Sequence, residues 1–481
     1  MINILPTPDK LVIGNNFYVK NPPIYELKKD IVEEGYRIEI GEKGTIISYS
    51  SDSGRYYADV TMQQIYKEFG EELMELTIED SPKYKYRGFL CDVSRHFFTI
   101  NELKKQLEVM AMLKFNKFHF HLTDDQGWRI EIKKYPLLNS IGSVREGTRG
   151  NKKPYNGFYT QEEIKELVKW CDERFIEVIP EIDMPGHFTS VIASYPNLGC
   201  ENKQIPVSQN WGVHDNLACA GNEETYDFCR NVLKEIFDLF PSKYIHLGGD
   251  EALKTKWCNC KKCQEVIKDN NLENEESLQG YFTNKMVEFC KENGKIVINW
   301  NDGFLAHNLD NDIIMQYWKQ DKKYKEAMYS EAKDGRKIIF SPFSSYYFDY
   351  PYGMTSLQKT YECEIPKELE SNIIGLEATL WTEYINNVQK LEQMVYPRIL
   401  AVAERAWSKK KLSYPEFEIV LKNYLPVLEE NSISYENNYN PSFIKGKLQV
   451  IKFVQNVICW DIIIKSCKYL LKTIKKPKKR K

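Results

Sequence analysis

An excess of charge of either sign is missing from this chain: 66 Lys and Arg stand against 68 Asp and Glu in 481 residues, a formal net charge of −2. A protein that grips nucleic acid usually carries a clear basic excess, so the electrostatic case for nucleic acid as main partner falls away. Also missing is an uninterrupted run of the roughly 18 apolar residues that a membrane span needs. The nearest stretch, 448–471, is broken by Lys452, Gln455, Asn456, Asp461, Lys465 and Lys468. The first residues, Met1-Ile2-Asn3-Ile4-Leu5-Pro6-Thr7-Pro8, show no cationic segment leading into an apolar one. No export signal is therefore read here, and the expected location is cytoplasmic. A spaced cysteine framework is lacking too, because most of the 12 cysteines stand singly in apolar stretches. That distribution suits reduced thiols better than a disulfide scaffold.

What the chain does have is a long alternation of short β-branched and aromatic runs with stretches of helical period, between Arg87 and Trp407. That is the pattern of parallel strands joined by crossover helices. Eight strands are expected at 88–93, 117–123, 176–182, 244–248, 295–300, 313–318, 337–341 and 373–381. Helices are expected between them, among others at 102–113, 161–174, 224–240, 277–292 and 388–407. The fold class is thus α/β, one (β/α)8 barrel over 83–410. Before it, segments 36–40 and 45–49 alternate as antiparallel strands and 58–69 reads as a helix, which makes 1–82 a small α+β domain. The polar segment around Pro82 marks its end. Residues 411–481 read as a helical extension with a basic tail.

A barrel of this kind builds its site at the carboxyl ends of the strands. Those ends are rich in polar groups here: Asp92-Val93-Ser94-Arg95, Thr123-Asp124-Asp125-Gln126, Asp183-Met184-Pro185-Gly186-His187, Gly248-Gly249-Asp250-Glu251, Trp300-Asn301-Asp302 and Trp381-Thr382-Glu383. Any one acid could be a helix cap. So many at corresponding positions point to chemistry. The pair Asp250-Glu251 follows two glycines that permit close approach of the backbone. Neighbouring carboxylates push their pKa values apart, a division of labour that serves glycoside hydrolysis. Trp300, Trp318 and Trp381 offer apolar walls to the C–H faces of a sugar, with core packing as the bland alternative for each.

These residues carry a resemblance. Arg87-Gly88-Phe89-Leu90-Cys91-Asp92-Val93-Ser94-Arg95, His119-Phe120-His121-Leu122-Thr123-Asp124-Asp125-Gln126-Gly127-Trp128, Pro180-Glu181-Ile182-Asp183-Met184-Pro185-Gly186-His187 and His246-Leu247-Gly248-Gly249-Asp250-Glu251 resemble successive signatures of glycoside hydrolase family 20, the β-N-acetylhexosaminidases. Trp300-Asn301-Asp302, Tyr347-Phe348-Asp349, Leu380-Trp381-Thr382-Glu383 and Ala403-Glu404-Arg405-Ala406-Trp407 follow in the family's order. The small preceding domain is shorter than is usual for the family. The resemblance implies an exo-acting, retaining hydrolase of terminal β-linked N-acetylglucosamine and N-acetylgalactosamine, gluco first, without cofactor or metal. The sugar's own acetamido group acts as nucleophile, one of the exceptions to the two-carboxylate scheme.

Carried over by position, the resemblance makes Glu251 the general acid and base. Asp250 orients and charge-balances the acetamido N–H, and Tyr347 donates to its oxygen. His187 and Asp124 become the acid's supporting partners, Arg95 and Glu383 binders of ring hydroxyls, and Asp349 the group near the 6-hydroxyl. Trp300, Trp318 and Trp381 enclose the acetamido methyl. A transglycosylase, a hydrolase of another 2-acetamido glycan, and a barrel that binds sugar without turnover are the alternatives.

Three further signals stand outside that reading. Cys258, Cys260 and Cys263 resemble a zinc cluster but lack a fourth ligand in the sequence, so loop thiols are expected. His119 and His121 share a strand face and are expected to pack. The basic tail is expected to be solvated, with weak contact to an anionic membrane surface as the rival.

Overall fold

The computed structural model describes residues 2–457. The chain opens with five strands, β1 (Lys10–Val19), β2 (Ile24–Leu27), β3 (Tyr36–Gly41), β4 (Gly44–Tyr49) and β5 (Glu72–Asp80), in the sheet order β1-β5-β3-β4-β2. The helix Asp52–Phe69 packs on this sheet and begins where the Ser51 side chain accepts the Gly54 N–H. Sequence periodicity finds β3, β4 and most of the helix. It misses β5, and it misses β1 and β2 because they bury no residue fully, so no alternation of burial was written into them.

Trp407 joins this domain to the next. Its ring lies in the small domain's core with Tyr36, Ile38, Tyr57 and Ile78, and its indole N–H donates to Asp80. Asp80 also pairs at 3.1 Å with the buried Lys114 ammonium. Breaking such a pair would leave one charge uncompensated, at a cost of about 3–5 kcal/mol.

The barrel follows from β6 (Tyr86–Asp92) and β7 (Lys117–His121), after which β8 (Thr123–Asp124) and β9 (Gly127–Trp128) form a short antiparallel hairpin outside it. It continues through β10 (Glu177–Glu181), β11 (Tyr244–His246), β12 (Ile296–Trp300), β13 (Ile314–Tyr317), β14 (Ile338–Phe340) and β15 (Ile373–Leu380). Pairing runs β6-β7-β10-β11-β12-β13-β14-β15 and closes where β15 pairs with β6. All eight expected strands are present. Most are shorter than expected at their carboxyl ends, because there the chain bends away and its polar residues turn to the site.

Along each strand, alternate residues face helices or the barrel axis. Phe118, Phe120, Val178, Ile245, Met315 and Leu376 join the main core. Tyr86, Ile179, Ile298, Ile314 and Ile339 fill a separate apolar layer inside the barrel. Outside, helices such as Ile100–Met112 and Gln161–Asp172 start at capping boxes, Thr99 with Glu102 and Thr160 with Glu163. The helix expected over 388–407 is two, Val388–Val395 and Arg398–Trp407. Pro397, lacking an N–H, cannot continue the ladder. Helices Tyr414–Glu430 and Phe443–Val457 follow. The basic tail lies outside the described residues, among which no helix is long and apolar enough to cross a membrane.

Candidate active site

The turn after β11 carries the acid pair on a left-handed stretch of backbone, Gly248, Gly249 and Glu251 all having positive φ. Gly248 and Gly249 have φ of 65° and 87°. A Cβ on Gly248 would lie 1.8 Å from Asp183 Oδ1, and one on Gly249 2.5 Å from Asn299 Nδ2. The turn is pinned from all sides: Gly249 N–H donates to Asp183 Oδ1 at 3.1 Å, Asn299 Nδ2 to Gly248 O at 2.9 Å, and Gln279 Nε2 to Gly249 O at 2.7 Å. Glu251 N–H donates to Asp302 Oδ2 at 2.9 Å. Asp250 is buried at 8% exposure, whereas the Glu251 side chain keeps 28%. Glu251 is therefore the more solvent-accessible acid of the pair.

Burial, opposed by His187 and reinforced by the charges of Asp302 and Glu251, pushes Asp250 up to about 7. Its Oδ1 is buried and has no hydrogen-bond partner among the described residues. A buried acceptor without a donor costs about 1–3 kcal/mol, which is a reason to expect a ligand donor there. Lys319, at the end of β13, places Nζ 3.3 Å from Asp302 Oδ2 and 3.7 Å from Glu251 Oε1. Sequence reading missed it; its signal was a lone cation beside Trp318 at a strand's carboxyl end.

His187, at a positive φ of 49°, sits between the acids and a carboxylate shell. Its Nε2 is 3.7 Å from Asp250 Oδ2 and 3.8 Å from Glu251 Oε2. On the other side, Nδ1 reaches Asp124 Oδ1 at 3.2 Å and Asp125 Oδ2 at 3.1 Å. Burial works against its protonation, but Asp124 and Asp125 outweigh it and hold the imidazole well above its usual range. Asp124 thus acts on Glu251 only through His187. Burial opposes the Asp124 charge as well, yet Arg95 and His187 hold that carboxyl well below the usual range.

Arg95 is itself tied down, 2.6 Å from Asp124 Oδ2 and 3.3 Å from Asp92 Oδ2. Asp92, to which sequence reading gave no role, accepts the backbone N–H groups of Ser94, Arg95 and Thr382. One carboxylate thereby locks the first and eighth strand ends together, with Arg95 and Glu383 carried on them.

Behind His187 the polar groups continue down the barrel. His121 donates to Asp124 at 3.0 Å and to Glu181 at 2.5 Å, and His119 to Glu377 at 2.9 Å. Tyr86, Gln316 and the Trp300 indole N–H complete the shell of Glu377 and Glu181. Burial opposes the charge on His119, but Glu377 and Glu181 push it up to about 9. The two histidines expected only to pack are thus tied to carboxylates, His121 through both ring nitrogens and His119 through Nδ1.

The aromatic walls gather opposite the acids. Trp318 and Tyr347 stack at 5.7 Å and 17°, and Tyr347 and Trp381 meet at 6.3 Å. Trp300, 1% exposed, lies beneath Trp318 and Trp381 as the floor. Tyr347 pairs with Thr379 of β15, and the buried Arg398 guanidinium donates to the Phe348 and Tyr350 carbonyls on either side of Asp349. Asp349 Oδ1, like Asp250 Oδ1, is buried without a partner among the described residues. The eleven residues named in sequence as the site therefore line one end of one barrel. A hollow of about 700 Å³ opens at the other end, between Tyr86, Lys117, Tyr244 and Ile314, where barrels of this type carry stability, not catalysis.

The cysteines are grouped differently from their spacing in the sequence. Cys258 is exposed and stands apart, while Cys260 and Cys263 meet Cys200 and Cys219 from the loop after β10. Two of the four grouped thiols thus come from residues 41 or more positions away from the other two.

A family model described as "Glycosyl hydrolase family 20, catalytic domain" matches residues 84–410, and one described as "Glycosyl hydrolase family 20, domain 2" matches 3–81. A beta-hexosaminidase of Porphyromonas gingivalis is 35% identical over 449 residues, 88% of this chain and 56% of the relative. The chain thus spans just over half of that curated relative's length. Among solved structures, a beta-N-acetylhexosaminidase from Bacteroides fragilis superposes with a TM-score of 0.83 at 29% identity, over 91% of this chain and 99% of that one. A family 20 exo beta-N-acetylglucosaminidase from Vibrio harveyi, in complex with N-acetylglucosamine, gives 0.82 at 26%, over 90% and 78%.

Proposed function

The chain belongs to glycosyl hydrolase family 20, and from that premise we propose that it is an exo-acting, retaining β-N-acetylhexosaminidase that works by substrate assistance. Its substrate is a glycan ending in β-linked N-acetylglucosamine, with N-acetylgalactosamine accepted second. The acetamido carbonyl oxygen attacks the anomeric carbon as the bond to the leaving oxygen breaks, and Glu251 delivers its proton to that oxygen. Asp250 accepts the acetamido N–H and balances the positive charge on the oxazolinium ring. Tyr347 donates its hydroxyl to the carbonyl oxygen as that atom becomes a nucleophile. Glu251, now a carboxylate, then takes a proton from water, which opens the ring from the face the leaving group vacated and restores the β-configuration.

The supporting groups have matching tasks. His187, held protonated by Asp124 and Asp125, helps Glu251 return to its charged form between steps. Lys319 does the same from the opposite side. Trp318 and Trp381, over Trp300, hold the acetamido methyl in an apolar slot that a free amine or a hydroxyl would leave half-empty. Arg95, Glu383 and Asp349 take the ring hydroxyls at the closed end, so the sugar enters as a chain terminus.

One observation carries the reading: Asp250 Oδ1 is buried and without a partner among the described residues, adjacent in sequence to a carboxyl that is partly open to solvent. That combination suits a group that receives an N–H from substrate beside a group that exchanges protons. The test compares aryl β-N-acetylglucosaminide, aryl β-N-acetylgalactosaminide, the 2-amino analogue and the plain β-glucoside. Turnover confined to the two acetamido sugars is expected. Absence of turnover on both, or equal turnover of the glucoside, would overturn the proposal.

A further inference from the structure

We propose that Cys200, Cys219, Cys260 and Cys263 form a tetrahedral zinc site that staples together the two loops carrying His187 and the Asp250-Glu251 pair. Their Sγ atoms lie 3.9 Å apart for Cys200 and Cys263, 3.8 Å for Cys219 and Cys260, and 3.8 Å for Cys219 and Cys263. All four fall within 4.8 Å of one another. Four sulfurs bound to one zinc at about 2.3 Å stand about 3.8 Å apart along the edges of the tetrahedron. A disulfide needs about 2.05 Å, so no two of them are bonded to each other. The interior of so small a tetrahedron has room for one ion.

The local chain supports the same ligand set. Cys260 is the cap of helix Lys261–Asp269, and Cys263 lies in its first turn, so one rigid element sets the spacing of this pair. Cys219 receives the backbone N–H of Gly221. A Cβ on Gly221 would lie 2.2 Å from the Lys262 carbonyl carbon and 2.5 Å from Cys263 N, so only glycine lets the two loops close on the cluster. Three of the four cysteines are buried and the fourth is half-buried. With four protein sulfurs the site is closed, and its role is structural.

The position gives the staple a purpose. Cys200 and Cys219 belong to the long excursion after β10 that begins at Asp183-Met184-Pro185-Gly186-His187; Cys260 and Cys263 belong to the excursion after β11 that begins at Asp250-Glu251. The two are also joined by the Trp257 indole N–H to Ala218 O at 3.0 Å and by Lys256 Nζ to Asn216 Oδ1 at 2.5 Å, while Ala218 N–H to Pro185 O at 3.0 Å ties the far part of the first excursion back to its start. Holding their outer parts together fixes the spacing of His187 from both acids.

Metal analysis of the untagged full chain by mass spectrometry tests the proposal. About one zinc per chain is expected, retained through gel filtration and released when a mercurial blocks the thiols. Cys219→Ser and Cys263→Ser should each hold at least tenfold less zinc, while Cys258→Ser keeps the full amount. Cobalt exchanged into the wild type should give sulfur-to-metal charge-transfer and tetrahedral ligand-field bands, a readout that does not depend on the variants folding. Chelation should lower the melting temperature, and re-added zinc should restore it. Wild-type protein that stays metal-free after incubation with zinc, with four reactive thiols in its place, would overturn the inference. So would iron in the site, or full zinc content in both serine variants.

Discussion

Replacing Asp250 by Asn removes one charge from the pocket and keeps its shape, so two quantities should move in opposite directions. The first is rate. A carboxylate about 4 Å from the developing oxazolinium charge is worth about 4 kcal/mol at an effective dielectric constant near 20. Its loss corresponds to roughly three powers of ten in kcat/KM. The second is stability. Asp250 is raised from 3.8 to about 7 in the folded chain, so the native state binds this proton more tightly than the unfolded one does. The stability it contributes is fully present below about pH 4 and is lost as pH rises through about 7. At about 1.4 kcal/mol per unit, the loss between those limits is on the order of 4 kcal/mol. Asp250→Asn has no proton to lose there and should hold its stability better between pH 4 and 8. Hydrolysis of an aryl β-N-acetylglucosaminide and inhibition by a thiazoline mimic of the cyclised intermediate measure the first, and denaturant midpoints at pH 4 and pH 8 measure the second. The thiazoline should lose most of its advantage over product sugar in the variant. A rate loss under tenfold, or an unchanged thiazoline preference, would refute the assignment, as would a covalent glycosyl ester on Asp250.

The other groups give sharper single tests. Glu251→Gln should bind substrate but lose most turnover for poor leaving groups and much less for very acidic ones; an equal loss for both, with glycosylation rate-limiting, would exclude a general acid here. Asp302→Asn removes one of the charges that raise Asp250, so the acid limb of the kcat/KM profile should move to lower pH. Asp124→Asn leaves the buried Arg95 without its 2.6 Å partner and should cost about 3–5 kcal/mol in denaturant unfolding.

The barrel was legible in the sequence because its strands are buried on both faces. Runs such as Lys117–His121 and Ile296–Trp300 are short and rich in aromatic or β-branched residues, and the polar residues that follow them mark where each leaves the sheet. The same geometry made Asp250, Glu251 and Tyr347 visible, since a site at strand ends inherits the order of the strands. Lys319 and Asp92 were harder to see. Their roles depend on what lies across the barrel mouth: Asp92 meets Thr382 from a strand 290 positions later. No local pattern encodes that distance.

The interior of the barrel shows how such residues could have been found by a physical rule rather than by spacing. Glu181 and Glu377 both lie inside runs read as central strands, where an unpaired charge would be severely penalised. Each therefore required cations or donors on neighbouring strands at the same level, and His119, His121 and the Trp300 indole were the groups available. The result is an alternation of sign from Glu377 through His119, Glu181, His121 and Asp124 to His187, with hardly any exposure along it. Replacing these groups by aliphatic side chains would fill the space equally well, but would leave nothing to fix the orientation of Asp124, and through it His187. The site thus depends on a polar column that begins two strand levels below it, which is why the charged residues within the strands, and not only those at their ends, carry functional information in this fold.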